Sequence, residues 1–320
     1  MPRGPTLVPE ITESRLSTID QIASIWKLGG LTPKQLGRRV WQQVGEDYLM
    51  SRAGDLAYNF LLAAFPMLLF LVSSFGLFAS QSKHLQDRLF FYLSQVLPPA
   101  AFTLVDHTLT EIIRRSSSGK LTFGLGFAIW AGAGGMASLM SALNIAYGVR
   151  DSRPWLKARL RAIVLTVAIS VLIVAALMVV LYGGAIAEFV GARLGLADIT
   201  VLAWKIAQWI VALGFVTLSF ALIYYYGPDL KEQHWYWITP GSLVGVVLWL
   251  GVSFAFRLYL HFFNNYSRSY GSLGAVIILL FWFYVTGFAF LIGGEINSEI
   301  EHAAAERGHP EAKLEGEKAA

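Results

Sequence analysis

Cysteine is absent from all 320 residues, so disulfides, thiol chemistry and Cys-type metal sites are excluded from the start. Charge is scarce as well: 14% of residues are Asp, Glu, Lys or Arg, against about 25% in a soluble domain. No P-loop, no G-x-S-x-G and no helical pair of metal-ligand histidines occurs, and His84, His107, His234, His261, His302 and His309 are scattered. These absences remove the common soluble-enzyme readings. No catalytic residue, cofactor or metal site is expected.

What the chain has instead is apolar length. Hydrophobic residues make up 55%. They gather into six stretches, near 56–79, 121–146, 160–182, 201–226, 238–262 and 273–297. Each has about the 20 residues a helix needs to cross 30 Å of hydrocarbon. Backbone groups in lipid must be satisfied within the segment, so helices are the expected form. The expected fold is all-α: a polytopic membrane protein with six transmembrane helices. Lys and Arg crowd the segment before the first stretch (Arg38, Arg39, Arg52) and the second loop (Arg150, Arg153, Lys157, Arg159, Arg161). That bias predicts that both termini face the cytoplasm. The net charge of +4 then reflects membrane orientation, and no nucleic-acid partner is expected.

Around the six spans, residues 1–31 read as irregular. Residues 32–55 read as an amphipathic helix that begins at Thr32–Pro33, with Leu36, Val40, Val44 and Tyr48 repeating every four residues. It is expected either to lie at the inner interface or to pack against the other cytoplasmic helix ends. Residues 80–120 read as an external helical hairpin broken at Pro98–Pro99, and 301–320 as a mobile tail. Pro66 predicts a bend in the first span. The glycine- and serine-rich second span reads either as tight packing or as a broken, pathway-lining helix. Trp155, Tyr224, Tyr225, Tyr226, Trp235, Tyr236 and Trp237 read as interface aromatics.

Polar residues on spans are costly and usually face protein or water. Two layers stand out. An inner layer brings Asp55, Asn59, Asn144, Tyr147, Glu295, Asn297 and Glu299 to a similar depth, either as a transport path or as ties between helix ends. An outer mouth collects Arg257, Asn264, Asn265, Tyr266 and Arg268. Snorkelling accounts for Arg257 and Lys205 equally well.

One resemblance goes further. The run NNYSRSYGSLGAVIILLFWFYVTGFAFLIGGEINSEIE resembles the C-terminal signature of the YihY/BrkB family of bacterial inner-membrane proteins, through Tyr270–Ala275, Gly294, Glu295 and Asn297. Ala57, Tyr58, Phe65 and Pro66 are similar to its first span, although Asn59 stands where a second tyrosine-like residue is common. Asn144, Tyr147, Arg153, Pro154 and Arg159 match its second-span exit. The resemblance implies a six-helix protein associated with envelope integrity, with lipid or solute transport proposed for members. The name ribonuclease BN, attached to the family historically, has no support in this sequence. Three functions are therefore carried forward. The first is transport of an amphipathic envelope component such as a lipid or lipid-linked precursor. The second is proton-coupled antiport of an ion or small solute through Asp55 and Glu295. The third is a non-transport scaffold. Membrane lipids are the expected partners.

Overall fold

The computed structural model describes residues 25–79, 91, 94, 102–103, 118–194, 198–230, 239–262 and 272–307. Helices account for nearly all of them, and no β-strand is present among them. A short 3-10 turn, Leu28–Gly30, precedes seven helices: α1 (Pro33–Glu46), α2 (Leu49–Ala79), α3 (Ser118–Ala146), α4 (Trp155–Leu194), α5 (Asp198–Tyr226), α6 (Pro240–Phe262) and α7 (Ser272–Glu306). Among the described residues, five helices, α3 to α7, are long and apolar enough to cross a membrane. The apolar stretch 56–79 lies within the 31-residue α2. Each helix from α2 onward packs on the next, and α7 returns to α2, which closes a ring. The end that holds α1 and the last turns of α7 is the proximal end.

The start of α1 is written in the sequence. The Thr32 hydroxyl accepts the Gln35 N–H, and the Gln35 side chain accepts the Thr32 N–H at 2.9 Å, with proline at the first helical position. Both exposed backbone donors are thereby satisfied. The expected helix 32–55 does not run through, however. It stops at Asp47, Tyr48 takes a left-handed φ of 52°, and α2 begins at Leu49. Gly45 lies inside the last turn of α1 and no proline follows, so the pattern alone did not announce the break at Tyr48. Tyr48, the expected fourth member of the apolar stripe, is 70% exposed. The break lets the remaining stripe turn inward. Leu36 and Val40 pack on Ile296 and Ile300 of α7, and Val44 joins the main core. Of the two expected positions for α1, its apolar stripe takes the packed one.

The tail also differs from expectation. α7 continues to Glu306, and Ala303 and Ala304 are buried. Gly29 sits against the Ile300 carbonyl, Arg307 donates to the Gly29 carbonyl, and Arg39 makes a forked bond to Glu306 at 2.8 and 3.2 Å. Residues 301–306 are thus the seat of an N-terminal strap. The helices also outrun the apolar stretches. α4 has 40 residues, about 60 Å at 1.5 Å per residue, roughly twice the hydrocarbon thickness.

The main core lies in the proximal half: Leu49, Ala53, Leu56, Leu139, Leu143, Ile169, Phe220, Ile223, Val246 and Leu291. Gly135 lies against Phe60, Ala63 and the Asn59 carbonyl. At that contact the small residues of α3 serve close packing on α2, the first of their two expected roles. α2 continues through Pro66 to Ala79. The expected hairpin 80–120 falls outside the described residues, save for a few positions.

Candidate functional site

The proximal layer begins where α3 ends. Gly148 takes a φ of 63°, a conformation easy for glycine and strained for other residues. The N–H groups of Gly148 and Val149 return to the carbonyls of Ile145 and Asn144, each at 2.8 Å. This reverses the chain and lays Asp151, Ser152 and Arg153 beside Gly227–Asp229, the segment that follows α5.

Asn144 is the bridge between these segments. Its amide oxygen accepts the Asp229 N–H at 2.7 Å, and its amide nitrogen donates to Asp151 at 3.1 Å. Asp229 is 3% exposed. It accepts the Ser152 N–H at 2.9 Å and the Ser152 hydroxyl at 2.8 Å, with the Arg153 Nε 3.4 Å away. Arg153 also forks onto Asp151, at 2.7 Å to each oxygen, and donates to the Gly227 carbonyl at 3.1 Å. Two loops from different hairpins are locked together by charge-assisted bonds, the strong kind.

Asp151 gives this lock a pH dependence. The Arg153 side chain holds its carboxyl below the ordinary range, outweighing the opposing effect of burial. A depressed folded pKa contributes stability above the unfolded pKa, and that contribution is lost as pH falls through the folded value. We expect the wild-type protein to lose thermal stability in detergent on acidification below about pH 4. An Asp151→Asn variant should lose less over the same range. Parallel acid profiles for the two would contradict this.

The other half of the layer belongs to α7. Tyr147, one turn beyond Asn144, is buried beside Asn297, Glu301 and Glu295. Burial pushes its hydroxyl well up, so it stays a neutral donor. Asn297 accepts the Gly241 N–H at 2.9 Å, which caps the start of α6 from a different helix. Glu295 is 1% exposed. Glu299 is buried, 3.8 Å from Arg39 and 3.6 Å from His302.

The expected inner layer therefore divides. Asn144, Tyr147, Glu295, Asn297 and Glu299 are brought to the proximal end, on α3, its exit and α7. Asp55 and Asn59 are not part of it. Asp55 is exposed, and the Asn59 amide, half-buried, bonds back to the Asp55 carbonyl at 2.8 Å. The reason is helical phase. α2 turns Leu49, Ala53, Leu56 and Ala57 inward, which sends Asp55 to the opposite side. Of the expected outer mouth, Arg257 is exposed on α6, and Asn264, Asn265, Tyr266 and Arg268 lie outside the described residues.

Sequence reasoning missed Asp151 and Asp229 as partners of Asn144, and Ser152 as the donor to Asp229. The available signal was an aspartate in Gly227–Pro228–Asp229, directly after an apolar span. Tyr224, expected among the interface aromatics, is instead buried and donates to the Phe290 carbonyl at 2.8 Å. The phenol is a core tie between α5 and α7.

A second feature lies in the distal half. Between α6 and α7 runs an apolar groove of about 510 Å³. Val252, Ala255, Phe256 and Tyr259 line one wall, and Ile277, Ile278 and Phe281 the other. It is open to the surface, with Phe281, Tyr259 and Ile277 exposed. Among the described residues, no group of three or more His, Asp or Glu is placed to hold a metal ion.

Comparison with known proteins identifies the family. A family model described as virulence factor BrkB matches residues 40–316. The ribonuclease-like protein YfkH of Bacillus subtilis is 31% identical over 248 residues, 78% of this chain and 88% of the relative. The UPF0761 membrane protein XOO3417 of Xanthomonas oryzae is 27% identical over 285 residues, and XCC0860 of Xanthomonas campestris is 25% identical over 283. This chain spans 62% of the length of those two relatives. No solved structure matches it.

Proposed function

The chain belongs to the BrkB family of membrane proteins, and from that premise we propose that it handles a lipid: it takes the acyl chain of an amphipathic envelope component into the α6–α7 groove and moves it between leaflets. The groove is the observation that carries this reading. It lies between two helices of membrane-spanning length, it is lined by apolar side chains, and it is open to the surface. In a bilayer such a surface is bathed in hydrocarbon, and an acyl chain fills it without desolvating any polar group. The proximal end is assigned to the cytoplasmic face of a bacterial inner membrane, on the strength of Arg38, Arg39, Arg52, Arg150 and Arg153 near it.

Proton-coupled antiport draws less support. It needs Asp55 and Glu295 to share a path, and Asp55 is turned away. The scaffold reading draws on the proximal ties, which join helix ends rigidly. The ribonuclease-like name belongs to the Bacillus relative and is not extended to this chain.

Filling the groove separates the lipid reading from the scaffold. An Ala255→Trp protein should retain about fivefold less lipid than wild type, read by native mass spectrometry after detergent exchange; a loss of that size corresponds to about 1 kcal/mol of binding. Val167→Trp, at an exposed position on α4, serves as the control. Equal lipid retention in all three proteins would sink the proposal.

A further inference from the structure

α1 has two faces, and among the described residues one of them is packed. Leu36, Val40 and Val44 are buried, and Arg39 is engaged by Glu299 and Glu306. The opposite face carries Lys34, Arg38, Trp41 and Gly45, spaced i, i+4, i+7 and i+11, all exposed. Trp41 is 70% exposed. A tryptophan presented to water on a basic helix face is a poor arrangement for a cytosolic surface. It is the arrangement of an interfacial one, where the indole sits at headgroup level and the cations meet phosphates.

The connection fixes where this face lies. Only Asp47 and Tyr48 separate α1 from α2, so α1 is tied to the start of a helix whose apolar stretch begins seven residues on, at Leu56. At the junction itself Tyr48 and Met50 are also exposed. Gly37 and Gly45 have open space beside them and impose no barrier to close approach.

We infer that the outward face of α1 is a binding surface for anionic phospholipid headgroups of the proximal leaflet, with Lys34 and Arg38 contacting phosphate and Trp41 seated among the headgroups. The occupant is a lipid surface because the face combines positive charge with an aromatic anchor and is tethered to a membrane helix. Glu46 stands at the far end of the helix, beyond the Lys34–Arg38–Trp41 segment. The inference is independent of the groove: the groove concerns a chain taken up at the distal half, and this face concerns headgroups at the proximal end.

The full chain is reconstituted in nanodiscs of phosphatidylcholine alone and in discs with about one third phosphatidylglycerol. Trp41 is read as the difference between wild type and Trp41→Phe. In anionic discs the Trp41 emission should shift to shorter wavelength and its quenching by aqueous iodide should fall. Salt at about 0.5 M should reverse part of the effect. Lys34→Gln and Arg38→Gln should each weaken the preference for anionic lipid about fivefold. Both side chains are exposed, so thermal stability in neutral discs should be unchanged. Equal iodide access in the two disc types overturns the inference, as does a headgroup preference indifferent to Lys34 and Arg38. Shielding of Trp41 that appears only in native membranes and never in lipid discs would assign the face to a protein partner and overturn it equally.

Discussion

An Asp229→Ala protein should lose about 3 kcal/mol of stability, the low end of the range for removing one partner of a buried ion pair. Asp229 receives two hydrogen bonds from Ser152 and faces Arg153, whose side chain is only 7% exposed. Truncation leaves that cation short of one counter-charge, and Asp151 remains to compensate in part, hence the low end. Asp229→Asn keeps the shape and part of the hydrogen bonding and should cost about half as much. Thermal unfolding in detergent reads the difference, and proteolysis in the 148–153 loop gives an independent measure of its release. If the alanine variant melts with wild type, the hub is not what holds these loops.

Gly241→Ala should be at least as damaging, for a steric reason. A Cβ at position 241 would overlap the Gly293 carbonyl oxygen, which is backbone and cannot swing aside, and would crowd the Asn297 side chain. α6 and α7 would have to separate. Overpacking of this kind costs about 1–3 kcal/mol, and more where neither side yields. The same shift would disturb the Gly241–Asn297 bond and the seat of Tyr224 between Gly245 and Gly293. Gly251→Ala on the same helix is the control, since nothing lies within 4 Å of that position. There the better helix propensity of alanine should leave stability equal or slightly higher. Equal melting of the two variants would show that the close approach does not limit stability.

These two positions mark where sequence reading stopped. Gly241 follows a proline before an apolar span, and Asp229 follows one after a span. Both look like loop punctuation. Their importance lies in what faces them, Gly293 and Ser152, which come from other helices or hairpins. A pattern along one chain carries no information about its partner's phase. Asp55 makes the same point in reverse: its depth matched the inner layer, but the rotation of α2 placed it outside.

The sequence by itself determined the helical membrane class, the approximate apolar extents, the capped start of α1, and the family, through the block ending in Glu295 and Asn297. Those properties rest on local length, periodicity and composition, because a bilayer demands internally satisfied backbone and apolar surface. Tertiary structure alone decided that α1 breaks at Tyr48 and straps α7, that Asn144 joins Asp229 to Asp151, that Tyr224 is core, and that α6 and α7 part distally into a groove. Each of these depends on how far one helix is rotated and shifted against another. In an apolar setting where most surfaces are equally greasy, that is settled by a few small residues and buried polar bonds contributed from distant positions in the chain.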